Sequence, residues 1–339
     1  MNYNSFIYLC LSAALLTGAG CGKKGGDTPD PTPPVVVTPT GPSQVAFWLT
    51  NTDRTALFAK QKNVLNFGTT SNPYSTITLD TARTYQTMDG FGYALTGGSA
   101  TVINRMSASS RADLLRELFA TDSTWLGVSY LRLSIGASDL SDHVFTYDDV
   151  PGDVSLAQFS LAPDRTDLIP VLKQILAINP NIKIMGSPWT APSWMKSNNS
   201  SKGGTLLPQY YDAYARYFVK YIQQMAAEGI TIDAVTLQNE PLYGGNEPSM
   251  LMDAAQQTNF IKNNVGPAFA AAGIRTKIIA YDHNPDRTDF PLAVLGDATA
   301  RAYAEGSAFH NYGGPLADAL TQVHNAYPSK GVYFTEFWT

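Results

Sequence analysis

The sequence is poor in cysteine and in positive charge, and both shortages exclude classes of function. Its two cysteines, Cys10 and Cys21, lie near the N-terminus, so the rest of the chain offers no disulfide, thiol nucleophile or thiolate metal site. Lys and Arg number 23 against 28 Asp and Glu, which gives a formal net charge of −5. This charge balance does not indicate a basic surface that would bind the phosphates of a nucleic acid, and we expect no nucleic-acid partner.

Motifs for phosphate and metal binding are also missing. Thr96-Gly-Gly-Ser does not continue to the Gly-Lys-Ser of a phosphate loop, and it predicts a turn from a strand into a helix. His283 follows an aspartate, but no second histidine or carboxylate stands at a ligand spacing such as His-Glu-x-x-His. We therefore expect no metal and no cofactor.

The chain does contain the apolar residues of a folded protein. Hydrophobic residues make up 44% of it and charged residues 15%, which predicts a globular protein with a sizeable core. Its 18 Tyr, 15 Phe and 5 Trp also suit a site that stacks on sugars, although core packing is the alternative for each of them.

The N-terminal segment predicts an exported protein. An apolar run at 6–16 has the length of a signal-peptide core and is too short for a membrane helix of roughly 20 residues, so we expect residues 1–20 to be removed. Small residues then precede Cys21, as in the lipobox of bacterial lipoproteins. Two alternatives follow: a lipid anchor on Cys21, as the sole membrane attachment of an outer-membrane or cell-surface protein, or a periplasmic or secreted protein without one. Pro- and Thr-rich residues 21–44 predict a flexible linker.

Beyond the linker, the pattern predicts a (β/α)₈ TIM barrel preceded by strands of an accessory β domain. Short β-like segments occur at 45–49, 64–67 and 75–79, and we therefore predict that residues 45–86 belong to the accessory domain. From 87 to 339, short apolar runs alternate with amphipathic ones, which indicates βα units and a parallel sheet. The barrel strands are predicted at 88–93, 128–133, 182–186, 232–238, 277–281, 307–310 and 332–335.

A complete barrel needs eight strands, and the sequence supplies seven. We therefore expect an incomplete barrel in a chain truncated at its C-terminus. Because such a barrel exposes two strand edges, we expect this chain by itself to be poorly soluble or inactive.

Two of the intervening helices can be predicted in detail. The first spans 209–228, because Pro208 suits a helix start, apolar residues recur on one face and Gly229 suits the end. The second spans about 164–178, and Pro170 is predicted to kink it.

Two glutamates follow predicted strands, where barrel enzymes place their catalytic residues. Glu240 comes after the fourth strand and Glu336 after the seventh, and strands in these positions face each other across the barrel mouth. Such a pair suits glycoside hydrolysis, in which one carboxyl group protonates the leaving oxygen and the other attacks the anomeric carbon. The acid then needs a raised pKa, and Arg132 is a candidate to keep the nucleophile ionised. For either glutamate alone, a structural salt bridge is the alternative.

Two other positions near strand ends are less informative. Asn-Glu-Pro recurs at 246–248, but there it lies in a Gly-rich loop, so Glu247 is predicted to start a helix before Ser249. Asp282 and His283 end the fifth predicted strand, and whether they line the cleft stays open.

Several segments between Asp89 and Glu336 follow one another in a diagnostic order and spacing. They are Gly90-Phe-Gly-Tyr-Ala-Leu-Thr, Leu131-Arg-Leu-Ser-Ile-Gly-Ala-Ser-Asp, Gly186-Ser-Pro-Trp-Thr-Ala-Pro-Ser-Trp-Met-Lys, Ala215-Arg-Tyr-Phe-Val-Lys, Gln238-Asn-Glu-Pro and Phe334-Thr-Glu. Together they resemble glycoside hydrolase family 30, the family of lysosomal glucosylceramidase and of bacterial and fungal β-1,6-glucanases. The Ser-Pro-Trp-Thr-Ala-Pro segment is the most specific part of the resemblance.

The resemblance implies catalytic and substrate-binding roles for particular residues. Glu240 would be the acid/base and Glu336 the nucleophile, with Arg132 orienting the nucleophile and Asn239 bonded to the sugar 2-hydroxyl. The others implied to bind substrate are Asp139, Trp189, His310 and Tyr312. A helix cap for Asp139 and barrel-mouth packing for Trp189 stay open as alternatives.

The resemblance also implies a substrate class. We expect a retaining β-glycosidase whose substrate is a β-glucan or a glucosyl-lipid. Asn311 stands where glucosylceramidase has an aromatic residue, and this difference together with the exported context favours a β-1,6-glucan. The competing class is a carbohydrate-binding lipoprotein that holds sugar on a barrel without cleaving it.

Overall fold

The computed structural model of the protein describes residues 44–68, 71, 73–122 and 125–338. The leader predicted at 1–20, Cys21 and all but the last residue of the predicted linker lie outside the described residues. That last residue, Gln44, belongs to a strand. The chain divides into two compact units after Ser71, ahead of the boundary predicted at residue 86.

Short antiparallel strands make up the regular structure of the first unit. β1 (Gln44–Val45) pairs with β4 (Leu65–Asn66), and β2 (Trp48–Leu49) pairs with β3 (Ala59–Lys60). The segments predicted at 45–49 and 64–67 therefore do contain strands. The strand predicted at 75–79 is wrong: no strand pairs with this segment within the described residues, and its Ile77 is 87% exposed. A β-like pattern forms a strand only where a neighbour satisfies its backbone groups.

The second unit contains a seven-stranded parallel sheet, and all seven predicted barrel strands are confirmed. The strands are β5 (Gly92–Ala94), β6 (Tyr130–Ser134), β7 (Lys183–Ser187), β8 (Ala234–Thr236), β9 (Lys277–His283), β10 (Ala304–His310) and β11 (Gly331–Glu336). Each pairs in parallel with its neighbours in sequence, so their spatial order is their chain order.

Helices lie between the strands, as expected for βα units. They are α1 (Gly97–Arg105), α2 (Ala108–Phe119), α3 (Leu168–Ile178), α4 (Tyr211–Ala227), α5 (Ala254–Phe260), α6 (Gly266–Ala271), α7 (Asp289–Gly296), α8 (Ala298–Tyr303) and α9 (Leu316–Ala326). Thr96 caps α1, because its Oγ1 accepts the Ser99 N–H at 3.2 Å. The turn predicted at Thr96 is thus confirmed.

The two helices predicted in detail differ in outcome. The helix predicted at 209–228 is confirmed as α4, and Gly229 follows it in the left-handed region, with φ of 82°. The kink predicted at Pro170 is wrong. Helix α3 begins only at Leu168, after a separate 3₁₀ turn at Ala162–Arg165, so Pro170 lies in its first turn. Proline is tolerated there because first-turn N–H groups have no intrahelical partner.

Alternate strands meet inside the barrel near its N-terminal end. Asp89, just before β5, accepts a hydrogen bond from Lys183 of β7 at 3.0 Å and from Lys277 of β9 and Tyr333 of β11 at 3.2 Å. One carboxylate thus links the first, third, fifth and seventh strands, which is the layering of a barrel interior. The seven strands therefore form a nearly closed TIM barrel.

Within 44–68, 71, 73–122 and 125–338, no helix combines the length and apolarity needed to cross a bilayer.

Candidate active site

Two glutamates face each other at the carboxyl end of the barrel. Glu240 follows β8, and Glu336 is the last residue of β11. Their side chains are 12% and 24% exposed. A carboxylate oxygen of each lies within 4.8 Å of the other and of a ring nitrogen of His310. The barrel therefore brings the two carboxylates together at one point of its mouth.

The backbone at Glu240 is strained. Its φ of 46° lies in the left-handed region, which residues other than glycine rarely occupy. Tyr281 and Asp282, at the end of β9, share this feature with φ of 74° and 78°. The Glu240 N–H donates to the Asp282 carbonyl at 3.0 Å and so joins the two distorted strand ends. Such conformations cost about 1–3 kcal/mol each and cluster at functional sites, so the surrounding structure must hold Glu240 in place.

Arg132, on β6, is a buried cation beside Glu336. Its Nη1 donates to Glu336 at 2.8 Å, and its Nη2 donates to Asn239 Oδ1 at 2.7 Å and to Asp282 at 2.9 Å. Its side chain is only 5% exposed, which strengthens these charge-assisted bonds. The guanidinium therefore fixes the orientation of the Glu336 carboxylate.

Asp282 lies beneath the cleft floor, where it is bonded to Arg132 and His310, and it does not line the cleft. Its side chain is 0% exposed and accepts five hydrogen bonds, which come from Arg132, Ser187, Thr236, His310 and Thr335. Burial alone would raise the pKa of Asp282, but Arg132 and His310 outweigh it and hold that pKa well below its usual value. The next residue, His283, is the one that faces the two glutamates, with its Nε2 3.9 Å from Glu240.

His310 supplies a second buried cation. Burial opposes its charge, but the hydrogen bond of its Nε2 with Asp282 at 3.1 Å and the nearby Glu240 carboxylate raise its pKa to about 9. Its Nδ1 lies 3.6 Å from Glu240 and 3.7 Å from Glu336. At neutral pH an imidazolium therefore sits between the two carboxylates.

The pKa of Glu240 differs from the raised value expected for the acid. Burial does raise its pKa, yet His310 and His283 more than offset burial, and the net direction is downward. This expectation is wrong because His283 and His310 come from β9 and β10, and their distances to the Glu240 carboxyl depend on the folded strand ends.

The remaining predicted residues occupy different positions around the pair. Tyr312 is 44% exposed, and its hydroxyl donates to Glu336 at 3.2 Å. Asn239 directs its carbonyl oxygen to Arg132. Asp139 lies at the rim, where burial and the charge of Glu336 raise its pKa. Trp189 is 4% exposed and packs against the guanidinium of Arg132 at 5.0 Å, so here it is a packed side chain and not an open platform.

The second Asn-Glu-Pro segment was interpreted wrongly from the sequence. Glu247 does not start a helix, because α5 begins at Ala254 with Asp253 as its cap. Instead, Asn246 reaches the site, where its Nδ2 donates to Glu240 Oε2 at 2.9 Å. The repeated Asn-Glu-Pro was the available signal, but only the folded loop shows which of its residues returns to the cleft.

The two glutamates and His310 also have the side chains of potential metal ligands. Glu240, His310 and Glu336 are the one trio of potential ligands that lies within 4.8 Å among the described residues. A histidine ligand binds in its neutral form; burial lowers the pKa of His310, but Asp282 and Glu240 raise it to about 9, so a metal at this trio would have to displace a proton. The trio suits acid–base chemistry better than a metal ion, and the expected absence of a metal stays a prediction.

A barrel with two facing carboxylates at the carboxyl ends of its strands has the architecture of a glycoside hydrolase. The family model for the glycosyl hydrolase family 30 TIM-barrel domain matches residues 88–338. The chain therefore belongs to glycoside hydrolase family 30.

Individual relatives within the family carry two different names. An endo-1,6-β-D-glucanase of Trichoderma harzianum is 43% identical over 280 residues, which cover 77% of this chain and 56% of the relative. The lysosomal acid glucosylceramidase of Mus musculus is 33% identical over 279 residues, covering 77% and 53%. A solved endo-β1,6-glucanase structure matches with a TM-score of 0.81 and 41% identity over 87% of this chain and 66% of that one. The chain spans about half the length of these curated relatives.

Proposed function

We propose that this protein is a retaining β-glycoside hydrolase that acts on β-linked glucosides through a covalent glycosyl-enzyme. The observation that carries the proposal is the approach of the Glu240 and Glu336 carboxylates to within 4.8 Å. Retaining enzymes place these groups about 5–5.5 Å apart, whereas inverting enzymes leave about 6.5–9.5 Å for a water molecule. The observed spacing supports direct attack by one carboxylate.

The proposed reaction has two steps. First, a Glu336 oxygen attacks the anomeric carbon while Glu240 protonates the glycosidic oxygen, which leaves as an alcohol. The sugar is then an ester of Glu336. Next, Glu240 takes a proton from a water molecule as the water oxygen attacks the same carbon, which breaks the ester and restores both carboxyl groups. Two displacements retain the β configuration.

The charges around the pair support these roles. Arg132 holds Glu336 by a 2.8 Å hydrogen bond, which leaves that carboxylate aimed and ready to attack. Glu240 has a lowered pKa without substrate, but a bound sugar would exclude water from this half-buried carboxyl and raise its pKa. Because Arg132 occupies the Asn239 carbonyl oxygen, the Asn239 amino group is the end that can donate to a sugar hydroxyl.

The substrate we favour is a β-1,6-glucan, with a glucosylceramide-type lipid as the second candidate. The Trichoderma relative named for β-1,6-glucan is 43% identical, against 33% for the mouse glucosylceramidase, over similar shares of this chain. Asn311 adds to this preference, because it replaces the aromatic residue of glucosylceramidase.

The test is to incubate the purified full-length protein with a linear β-1,6-glucan and, separately, with glucosylceramide in detergent. Release of β-1,6-linked oligosaccharides from the first and little glucose from the second is the expected result. Glu240→Gln and Glu336→Gln should each abolish it. Glucose release from the lipid alone would reverse the substrate assignment.

The alternative function, a carbohydrate-binding lipoprotein, would retain sugar binding without hydrolysis. It predicts that calorimetry detects glucan binding while no reducing ends appear, and that Glu336→Gln leaves binding intact. A pure binder has no need of a buried arginine that orients one glutamate toward another, and this disfavours it.

We also propose export, with lipid attachment at Cys21 as the sole contact with a membrane. The apolar run at 6–16 and the small residues before Cys21 support this proposal. Radiolabelled palmitate incorporated into the protein and lost in Cys21→Ser is the expected outcome. If the unmodified protein and Cys21→Ser are both secreted without a lipid, the N-terminal segment is a secretory signal peptide without lipid attachment.

A further inference from the structure

The Glu240 carboxyl group has two oxygens in different surroundings. Oε1 lies 3.6 Å from His310 Nδ1, and the same nitrogen lies 3.7 Å from Glu336 Oε1. This places Glu240 Oε1 on the side of the nucleophile. Oε2 accepts a hydrogen bond from Asn246 Nδ2 at 2.9 Å, which is the shortest polar contact of this carboxylate among the described residues.

Asn246 is held in its position by a neighbouring loop. Its carbonyl accepts from Ser249 Oγ at 2.6 Å, and the Ser249 N–H donates to the Ser201 carbonyl at 3.0 Å. The Gly203 N–H in turn donates to Ser249 Oγ at 3.0 Å. The loop after β8 is therefore bonded at Ser249 to the loop after β7, which holds the backbone of Asn246 beside Glu240.

Lys196 fastens these loops from inside. Its Nζ donates to the Ser249 carbonyl at 2.7 Å, the Ser201 carbonyl at 3.1 Å and Thr190 Oγ1 at 2.8 Å. The residue is only 2% exposed. Burying a lysine among neutral acceptors is unfavourable, so its three bonds to two loops indicate that the position of these loops matters.

We propose that Asn246 is a positioning residue for Glu240, whose side-chain amide directs the catalytic proton to Oε1. An oxygen that accepts an N–H takes the carbonyl position of a protonated carboxyl group, so the proton resides on the other oxygen. Here the other oxygen is Oε1, on the side of the nucleophile; His310 Nδ1 lies 3.6 Å from it, beyond hydrogen-bond distance, whereas Asn246 is hydrogen-bonded to Oε2 at 2.9 Å. The inference rests on the proposed function, because it assigns Asn246 to the acid of that reaction.

The test uses two glycosides of β-1,6-linked glucobiose that differ in their need for an acid. In the phenyl glycoside, the leaving group is a weakly acidic phenol, whose oxygen must be protonated as it departs. In the 2,4-dinitrophenyl glycoside, the leaving group is dinitrophenolate, a stable anion that departs without protonation. We expect Asn246→Ala to lower kcat/KM for the phenyl glycoside about 10- to 100-fold, the usual range for a hydrogen bond to a charged group. For the dinitrophenyl glycoside, we expect kcat/KM to change less than about threefold, because its leaving group needs no acid. In both cases kcat/KM reports the first step alone.

Asn246→Asp keeps the side-chain volume and changes the charge. A carboxylate at this position opposes ionisation of Glu240, so the basic limb of the kcat/KM profile should move to higher pH. The other titratable groups facing Glu240 are unchanged in this variant: His283, His310, Asp282, Glu336, Asp139 and Tyr312.

The matched control is Asn264→Ala. Asn264 Nδ2 also donates to a carboxylate, that of Asp212 on α4 at 2.7 Å, and this pair lies outside the site. The control substitution should change kcat/KM little, and by the same factor for both glycosides. Equal losses for both glycosides with Asn246→Ala, or an unmoved basic limb with Asn246→Asp, would overturn the positioning role. These assays use the full-length protein, and if the unmodified full-length protein cleaves neither glycoside, the proposed function itself fails.

Discussion

The buried position of Asp282 gives the sharpest stability prediction. Asp282→Asn keeps the shape of the side chain but removes the charge that pairs with Arg132 and His310. The five groups that bond the carboxylate are all donors toward it, so the amide NH₂ of the variant must face at least one of them. Breaking a buried ion pair on one side costs about 3–5 kcal/mol, because the remaining charge is left uncompensated.

The assay is equilibrium unfolding in urea, with a thermal scan as a second measure. We expect the free energy of unfolding to fall by about 3–5 kcal/mol and Tm by roughly 10 °C. Asp289→Asn is the matched control, because it breaks an Arg–Asp pair whose side chains are 52% and 65% exposed. Exposed pairs contribute little, and the control should unfold like the unmodified protein. A loss below about 1 kcal/mol in Asp282→Asn would refute the reasoning.

The same variant should change the pH dependence of stability. The pKa of His310 is raised from 6.5 to about 9, so its stabilising effect is complete below pH 6.5 and is lost as pH rises through about 9. Without Asp282, we expect this loss of stability to begin at lower pH. The histidine resonance followed by NMR across pH 5–10 reports the shift directly, and an unchanged titration would contradict it.

Three further predictions concern single side chains. Tyr312→Phe removes the hydroxyl that donates to Glu336 at 3.2 Å and should lower kcat/KM about tenfold; an unchanged value would exclude a catalytic contact. Trp189→Ala should cost about 3–5 kcal/mol of unfolding free energy, since the indole is 4% exposed, whereas a raised KM with unchanged stability would favour sugar stacking. Burial lowers the pKa of Lys196 from 10.5 to about 7, so unfolding takes up a proton between these values and stability rises with pH in that window, by at most about 1.4 kcal/mol per unit. Lys196→Met should lack this slope in urea titrations at pH 7 to 10, and an identical slope would refute the assignment.

The sequence was sufficient for the sheet and for the approximate positions of the two glutamates. Apolar runs of strand length separated by amphipathic segments fixed β5 to β11 to within a few residues, because parallel strands buried on both faces have this composition. Glu240 and Glu336 were noticed because they follow such runs. Their meeting across the barrel mouth is a consequence of the strand order, which curves the sheet into a nearly closed barrel.

The sequence could not show how the chain turns after each strand ends. Asp282 points below the cleft and His283 into it because the backbone takes positive φ at Tyr281 and Asp282, which no local pattern signals. The approach of Asn246 depends on the bonds between Ser201 and Ser249, which are far apart in the chain. The lowered pKa of Glu240 likewise depends on histidines from β9 and β10, and electrostatics of this kind requires coordinates.

The central claim is that Glu336 attacks the sugar directly. It is tested by incubating the protein with a 2-deoxy-2-fluoro β-glucoside that carries a good leaving group, followed by peptide mass spectrometry. The account predicts a stable fluoroglucosyl ester on Glu336, together with release of β-configured product from ordinary substrates by NMR. Hydrolysis that yields the inverted anomer, or an adduct on a residue other than Glu336, would contradict it.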